Sequence, residues 1–140
     1  MKRPVLLDTG PLVAFLNRRD TCHAWATAQW ALVRPPLLTC EAVLSEACFL
    51  LRGIVSGGEA VMELVRRSIV VVGFHLEDHT APVAKLLSKY ASVPMSLADA
   101  CLVRMSECYA DSAVMTLDSH FRLYRRHGRL AISVLMPDHR

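Results

Sequence analysis

The sequence lacks the features of a membrane-bound or exported protein. The chain has 140 residues, and none of its apolar runs reaches the roughly 18 residues that a membrane-spanning helix needs. The residues before Val5 lead directly into a short apolar segment, without the longer apolar core and small-residue cleavage site of a signal peptide. We therefore expect a cytoplasmic protein with no membrane partner.

Common cysteine and histidine motifs are also missing. The five cysteines are scattered and odd in number, no two form a C-x-x-C pair, and no H-E-x-x-H motif occurs. This distribution argues against a disulfide framework or a zinc site and favours reduced thiols that pack as small apolar groups. A G-x-S-x-G motif is absent as well, so hydrolysis by a serine or cysteine nucleophile has no support.

Apolar residues and arginines are what the chain has in excess. Hydrophobic residues make up 53% of a chain with the length of one domain, so we expect a single domain spanning residues 1–140. The surplus, including Trp25, Trp30 and Leu32 on one predicted helix, predicts a homodimer or a groove for a protein partner, with core packing as the alternative. The net charge is +3, and 13 of the 16 basic residues are arginine, which suits phosphate contacts.

Short apolar strands alternate with helices along the chain. Strands are predicted at 5–7, 37–39, 69–74, 112–116 and 132–135. Helices are predicted at 11–18, 40–51, 56–68 and 97–109, and two more run from a cap at 20 or 21 to 32 and from a cap at 78 or 80 to 90. This alternation predicts an α/β fold in which helices flank both faces of a short central parallel sheet.

Two aspartates lie just after predicted strands. Asp8 comes after the first strand, and Thr9 or Gly10 is expected to cap the helix that follows. Asp118 follows the strand at 112–116. Because open α/β sheets bind ligands at the carboxyl ends of their strands, both are candidates for a functional site. The alternative for each is an acid that only shapes a turn.

A glutamate on the predicted helix 40–51 is a third candidate. The polar stripe of this helix consists of Glu41, Ser45 and Arg52. Around the helix axis, Glu46 lies more than about 90° from the centre of this stripe, among apolar residues. An ionised carboxylate among apolar neighbours needs a cation or hydrogen-bond donors. Glu46 is therefore a candidate for the functional site, with pairing to an arginine or access to solvent along a groove as the alternatives.

Asp99 is the fourth candidate. If Ser96 caps its helix, Asp99 occupies the third helical position, where an acid completes a capping box or opposes the helix dipole. That structural role is at least as compatible with the sequence as a functional one. Apolar residues on the same helix would hold Asp99 near the rim of the domain.

The four acids carry more information together than separately. Asp8 and Asp118 follow strands, Asp99 lies at the start of a helix, and Glu46 is expected to face inward from another helix. Carboxylates that converge without lysines repel one another and have raised pKa values unless a divalent cation holds them. Oxygen ligands favour Mg²⁺ or Mn²⁺ over zinc or copper, and such an ion can activate water and neutralise charge on a phosphate. The sequence therefore predicts a metal site.

Four segments in order carry a resemblance to the PIN-domain nucleases. They are V-L-L-D-T-G-P-L-V at the start, L-T-C-E-A-V-L-S-E-A near residue 42, P-M-S-L-A-D-A in the later half and V-M-T-L-D-S-H-F near residue 118. Over essentially its whole length the chain is similar to the VapC-like toxins and their stand-alone relatives. The resemblance implies a PIN-like fold, a Mg²⁺-dependent endoribonuclease activity with Mn²⁺ as a possible substitute, and an antitoxin as a possible partner.

The resemblance also implies a set of site residues. Carried over one by one, the catalytic acids are Asp8, Glu46, Asp99 and Asp118. Asp8 and Asp99 would be the direct metal ligands, and Thr9 and Thr116 match small polar positions beside the site. Glu41 is the alternative to Glu46, and the helix geometry and the S-E-A context favour Glu46.

A site built from acids needs basic side chains nearby to attract RNA. The candidates for backbone contacts follow the last acid and are Arg122, Arg125, Arg126 and Arg129. A solvated surface charge is the alternative for each of them.

Two other functions remain open at the level of sequence. A non-catalytic RNA-binding or protein-interaction module could keep the same fold, and it would bind RNA without metal or turnover. A phosphoryl-transfer protein is the second alternative. A dehalogenase-type phosphatase needs Asp-x-Asp after the first strand, whereas Asp8 is followed by Thr9 and Gly10.

Overall fold

A computed structural model describes residues 3–138 of the chain. Five strands form one parallel sheet, namely β1 (Val5–Leu7), β2 (Leu37–Thr39), β3 (Val70–Val72), β4 (Ala113–Met115) and β7 (Val134–Leu135). Between β4 and β7 the chain forms a separate antiparallel hairpin from β5 (Arg125–Arg126) and β6 (Leu130–Ala131).

Six helices flank the sheet. They are α1 (Thr9–Leu16), α2 (His23–Leu32), α3 (Glu41–Leu50), α4 (Gly57–Arg66), α5 (Thr80–Lys89) and α6 (Leu97–Cys108). α1 packs against α2 and α3, α3 packs against α4 and α6, and α5 packs against α6. The predicted α/β fold is confirmed, and each predicted strand and helix is present, most with somewhat shorter ends, whereas α1 begins two residues earlier than predicted. The predicted caps of α2 and α5 are wrong, because Cys22 and His79 are the N-caps. No helix within residues 3–138 is long and apolar enough to cross a membrane.

The order of the strands decides where a ligand can bind. The sheet runs β3-β2-β1-β4-β7, so the chain passes from β1 to β2 and β3 on one side and then returns to β4 on the other side. The connections that follow β1 and β4 therefore lead to opposite sides of the sheet. Open α/β sheets bind ligands at such a point, in the crevice beyond the carboxyl ends of the two strands. Asp8, directly after β1, and Thr116, directly after β4, lie at this point.

β1 lies at the centre of the core. Its three residues are at most 5% exposed, as expected for a parallel strand that is covered on both faces. Each fully buried leucine of this kind contributes about 1.5–3 kcal/mol relative to an exposed one. The buried hydroxyl of Thr39 donates to the carbonyl oxygen of Leu7 at 2.8 Å, which joins β2 to the end of β1 without leaving a polar atom unsatisfied.

The start of α1 and the hairpin differ from the sequence-based expectation. The N-cap of α1 is Asp8 itself, not Thr9 or Gly10, because the Asp8 side chain accepts the Thr9 backbone N–H. The β5–β6 hairpin was not predicted, since two-residue strands are too short to show an alternating pattern. Its turn places His127 and Gly128 at φ +51° and +80°, the paired positive values of a type I′ turn.

The two tryptophans of α2 pack inside the molecule, whereas Leu32 at its end is 63% exposed. Trp25 and Trp30 are half-buried and pack against the core, and the Trp30 ring stacks on Phe15 with centroids 4.0 Å apart. Core packing, the alternative weighed from the sequence, therefore accounts for both tryptophans. Two further exposed apolar side chains lie at the end of α3, where Phe49 is 61% and Leu50 is 57% exposed.

Gly57 controls the packing of α4 on α3. A Cβ atom at this position would lie 2.5 Å from the carbonyl oxygen of Leu51 and 2.8 Å from its Cβ. We expect Gly57→Ala to lower the free energy of unfolding by about 1–3 kcal/mol through overpacking, measured by urea denaturation. Gly58→Ala is the matched control, because its Cβ would meet only the Cys48 sulfur at 3.9 Å. Equal effects of the two substitutions would contradict this account.

Candidate functional site

All four predicted acids line one open pocket at the carboxyl edge of the sheet. The pocket has a volume of about 400 Å³, and its lining consists of Asp8, Thr9, Gly10, Glu46, Leu50, Ser96, Asp99, Leu117 and Asp118. Among the residues that the structure describes, no lysine or arginine lines it. Glu41 lies elsewhere, in a cavity with Cys40 and Cys101. The pocket thus combines four acids with no basic side chain in its wall.

Asp8 is buried and held from two directions. Its side chain is the N-cap of α1 and accepts the Thr9 backbone N–H at Oδ1, 2.8 Å away. Its Oδ2 accepts the hydroxyl of Thr116 at 2.6 Å, and its own backbone N–H donates to the carbonyl of Met115 at 3.0 Å. The carboxylate of the central strand is therefore fixed to the end of the neighbouring strand.

Burial makes Asp8 unusually basic for an aspartate. Burial raises the pKa of Asp8 from 3.8 to about 6, and the charges of Asp99 and Asp118 add to this rise. The hydrogen bonds from Thr116 and Thr9 oppose it but do not cancel it. Negative charge at Asp8 is therefore incompletely compensated by the chain itself.

Asp99 serves its helix and lines the pocket at the same time. Its backbone N–H donates to Ser96 Oγ at 3.0 Å, and its Oδ2 accepts the Ser96 backbone N–H at 3.1 Å, which completes the capping box of α6. Burial raises the pKa of Asp99, and the charge of Asp118 raises it further. The structural role considered from the sequence is present, and it does not remove the side chain from the site.

Glu46 reaches the pocket from an exposed position. The expectation that Glu46 faces inward is wrong, because Glu46 is exposed and the adjacent Phe49 and Leu50 also face solvent. Access to solvent, one of the alternatives weighed from the sequence, is what the structure shows. The 3.6-residue spacing of α3 separates its faces, but it does not show which face is covered by the rest of the fold. The Thr9 hydroxyl donates to Glu46 Oε1 at 2.9 Å and holds the side chain at the pocket wall.

Asp118 is held in the loop after β4. Its Oδ1 accepts the backbone N–H of His120 at 2.9 Å, and the His120 ring atom Nδ1 lies 2.9 Å from the same oxygen. The Asp118 backbone N–H donates to the hydroxyl oxygen of Thr116 at 2.9 Å. Since the same hydroxyl donates to Asp8, Thr116 links the two aspartates that follow β1 and β4.

Tyr124 is a site residue that the sequence did not indicate. It is fully buried, and its hydroxyl donates to Asp99 Oδ2 at 3.2 Å. Its ring packs edge-on against Phe121 and Tyr90 with centroids 5.1 and 5.0 Å apart. Burial and the nearby carboxylate raise the pKa of Tyr124, so the phenol stays protonated as a donor. A buried tyrosine needs a hydrogen-bond partner, but only the three-dimensional fold identifies Asp99 as that partner.

The four predicted arginines have different environments. The Nη1 atom of Arg125 donates to the backbone carbonyls of Arg122, Leu123 and Tyr124 at 2.8–3.2 Å and stabilises this turn. Arg126 is half-buried on the hairpin, whereas Arg122 and Arg129 are exposed. The exposed pair therefore fits a contact with a nucleic-acid backbone better than Arg125 does.

Comparison with protein families identifies the family of this chain. A sequence profile of the PIN domain matches residues 5–126. The chain belongs to the PIN domain family. The structure of this PIN domain is also similar to the crystal structure of VapC20 from Mycobacterium tuberculosis, described as a sarcin-ricin loop cleaving toxin. The TM-score is 0.70 at 23% identity, over 82% of this chain and 90% of that chain. No curated protein matches the chain.

The donors of the pocket suit a hard divalent cation. Carboxylate oxygens dominate its polar lining, and burial raises the pKa of both Asp8 and Asp99. In residues 3–138, no three Asp, Glu, His or Cys side chains are grouped closely enough to hold an ion as they stand. Mg²⁺ commonly binds through one or two carboxylates and several waters, so this spacing is compatible with its chemistry.

The raised pKa of Asp8 predicts a pH-dependent stability in EDTA. The pKa of Asp8 is about 6 in the folded chain and 3.8 in the unfolded chain, so the folded state binds the proton more tightly. This preference stabilises the fold fully below pH 3.8, and the stabilisation is lost as the pH rises through 6. We expect wild type to lose about 2 kcal/mol relative to Asp8→Asn between pH 4.5 and 7.5, because asparagine cannot ionise.

Urea denaturation of both proteins at the two pH values measures this difference. Asp111→Asn, at an exposed acid before β4, is the control and should follow the wild-type pH dependence. If the free energies of unfolding of wild type and Asp8→Asn changed equally with pH, the raised pKa of Asp8 would be ruled out.

Proposed function

We propose that this PIN domain is an endoribonuclease that depends on a divalent metal ion, Mg²⁺ or Mn²⁺. The observation that carries the proposal is the convergence of four carboxylates on one open pocket at the point where the strand order diverges. The pocket wall has no basic side chain among the described residues, so a cation is the natural counter-charge. Family membership supports the same activity.

Asp8 and Asp99 are the residues that would hold the cation. A divalent ion bound there supplies activation of water and neutralisation of the charge that develops on the phosphate. Asp8 is fixed by Thr9 and Thr116, and Asp99 is fixed by Ser96 and Tyr124, so both carboxylates are oriented before substrate arrives.

The other two acids have complementary roles in this proposal. Glu46 has one oxygen held by Thr9, and its exposed position allows Oε2 to accept a proton from the attacking water. Asp118 is held by the backbone N–H of His120 and adds a fourth carboxylate to the wall. Together the four acids are the catalytic set, and Asp8 and Asp99 are its metal ligands.

RNA as the substrate and a toxin role belong to the same proposal. VapC20, the structurally similar protein, is described as a toxin that cleaves the sarcin-ricin loop. By analogy, we infer that this chain is the toxin of a toxin–antitoxin pair, acts in the cytoplasm and has an antitoxin protein as partner. A homodimer also remains a prediction.

Metal-free protein incubated with structured RNA tests the proposed activity. We expect cleavage to require added Mg²⁺ or Mn²⁺ and to stop in EDTA. Asp99→Asn should reduce the cleavage rate by more than the roughly 10–100-fold that is typical for residues that only support a metal ligand. Asparagine keeps an acceptor for the Ser96 backbone N–H, so helix α6 should remain folded.

Asp111→Asn is again the matched control, because it removes an acid at the opposite end of β4 and should leave cleavage unchanged. Cleavage that persists in EDTA, or in folded Asp99→Asn protein, would contradict the mechanism. RNA binding without metal and without turnover would instead favour the non-catalytic module.

Tyr124→Phe tests how the chain orients its metal ligand. The substitution removes the hydroxyl that donates to Asp99, so we expect Mn²⁺ to bind about 10–100-fold more weakly in isothermal titration calorimetry. Tyr109→Phe is the control, because its hydroxyl donates to the Gly73 carbonyl at 3.0 Å and the residue follows the last turn of α6. Equal Mn²⁺ affinities for the two variants would contradict a role of Tyr124 in orienting the metal ligand Asp99.

A further inference from the structure

An exposed aromatic side chain lies directly beside the carboxylate pocket. Phe49 is in the last turn of α3, and 61% of its surface is accessible to solvent. Leu50, which is 57% exposed, follows Phe49 in the chain, so the two side chains form an apolar surface next to the carboxylates. We call Phe49 and the adjacent Arg52 the Phe49 shelf.

The Phe49 shelf is continuous with the pocket. A second open cavity, of about 380 Å³, is lined by Ser45, Glu46, Phe49 and Leu50. Glu46 and Leu50 also line the carboxylate pocket, so the two cavities share part of their wall. A ligand bound at the carboxylates can therefore extend over α3 onto the shelf.

The chemistry of the shelf combines an aromatic ring with a cation. The guanidinium carbon of Arg52 lies 3.8 Å from the centroid of the Phe49 ring. Nη1 of Arg52 donates to the backbone carbonyl of Phe49 at 2.8 Å, which anchors the guanidinium to its own helix. Aromatic rings and arginine planes are the groups on which unstacked bases of single-stranded RNA stack, and arginine also attracts phosphate.

We propose that the Phe49 shelf binds an unpaired nucleobase next to the phosphodiester that is cleaved. This inference rests on the proposed ribonuclease function and adds the form of its substrate. A base inside a duplex is already stacked on both faces and cannot lie on Phe49, so the substrate must present a single-stranded nucleotide at the site. Charge complementarity supports RNA, because Arg52 provides the positive charge that the carboxylate pocket lacks.

Cleavage kinetics of Phe49→Ala test the proposal. With an RNA that wild type cleaves at a loop, Phe49→Ala should raise KM by roughly 5- to 100-fold, the range expected for losing one base–aromatic stack. Phe49→Trp should restore KM, since a larger ring still offers a stacking face. The Mn²⁺ affinity of both variants should equal that of wild type. Val55→Ala, at a side chain that is 94% exposed in the following loop, is the control and should leave KM unchanged.

A fluorescent base provides a direct measurement. After the cleavage site is mapped, 2-aminopurine is placed in the loop next to it, and the RNA is titrated with Asp99→Asn protein to prevent cleavage. We expect quenching of 2-aminopurine on binding, less quenching when Phe49→Ala is added to that protein, and none when the labelled position is paired in a duplex.

The outcomes separate this inference from the proposed function. If wild type cleaves RNA while Phe49→Ala has the same KM and the same quenching, the shelf proposal is wrong and the ribonuclease proposal stands. If wild type neither binds nor cleaves RNA with metal, both fail. If Phe49→Ala changes only the sedimentation coefficient, a second copy of the chain covers the shelf, and the nucleobase proposal is overturned.

Discussion

The side chain of Asp8 joins the parts of the molecule that meet at the pocket. It caps α1 through the Thr9 backbone N–H and accepts the hydroxyl that follows β4, while its own backbone N–H pairs with Met115. An ionised carboxylate at this depth is costly unless donors or a cation compensate it. The start of α1, the contact between β1 and β4 and the chemistry of the pocket therefore depend on one buried negative charge.

Much of the fold could be predicted from local patterns. Continuous branched apolar residues such as Val5–Leu7 indicate buried strands, and Ser96 followed by Asp99 marks the start of α6. The order of the strands could not be predicted, because it depends on how crossovers pack and not on the composition of any strand. The β5–β6 hairpin was missed for a different reason, since its two-residue strands carry no periodic signal.

The candidate site was predictable in its acids but not in its supporting contacts. Asp8 and Asp118 follow strands that turn out to be adjacent, so the structure places both acids at one pocket. The helical spacing correctly placed Glu46 on a different face of α3 from the polar stripe. That face is exposed rather than buried, because which face of a helix is covered depends on how the rest of the chain packs against it. The contact from Tyr124 spans 25 residues, and no local pattern connects it to Asp99.

The Thr116 hydroxyl has one proton, and its two partners determine where that proton lies. It accepts the Asp118 backbone N–H and must therefore donate to Asp8 Oδ2, while Thr9 donates to Oδ1. These two donors already occupy one lone pair on each oxygen of Asp8, so a proton on the neutral acid and a bound cation would have to share what is left. In the proposed function, a proton and a metal ion would compete for one carboxylate whose pKa burial raises to about 6, so metal uptake would be coupled to proton release near that pH.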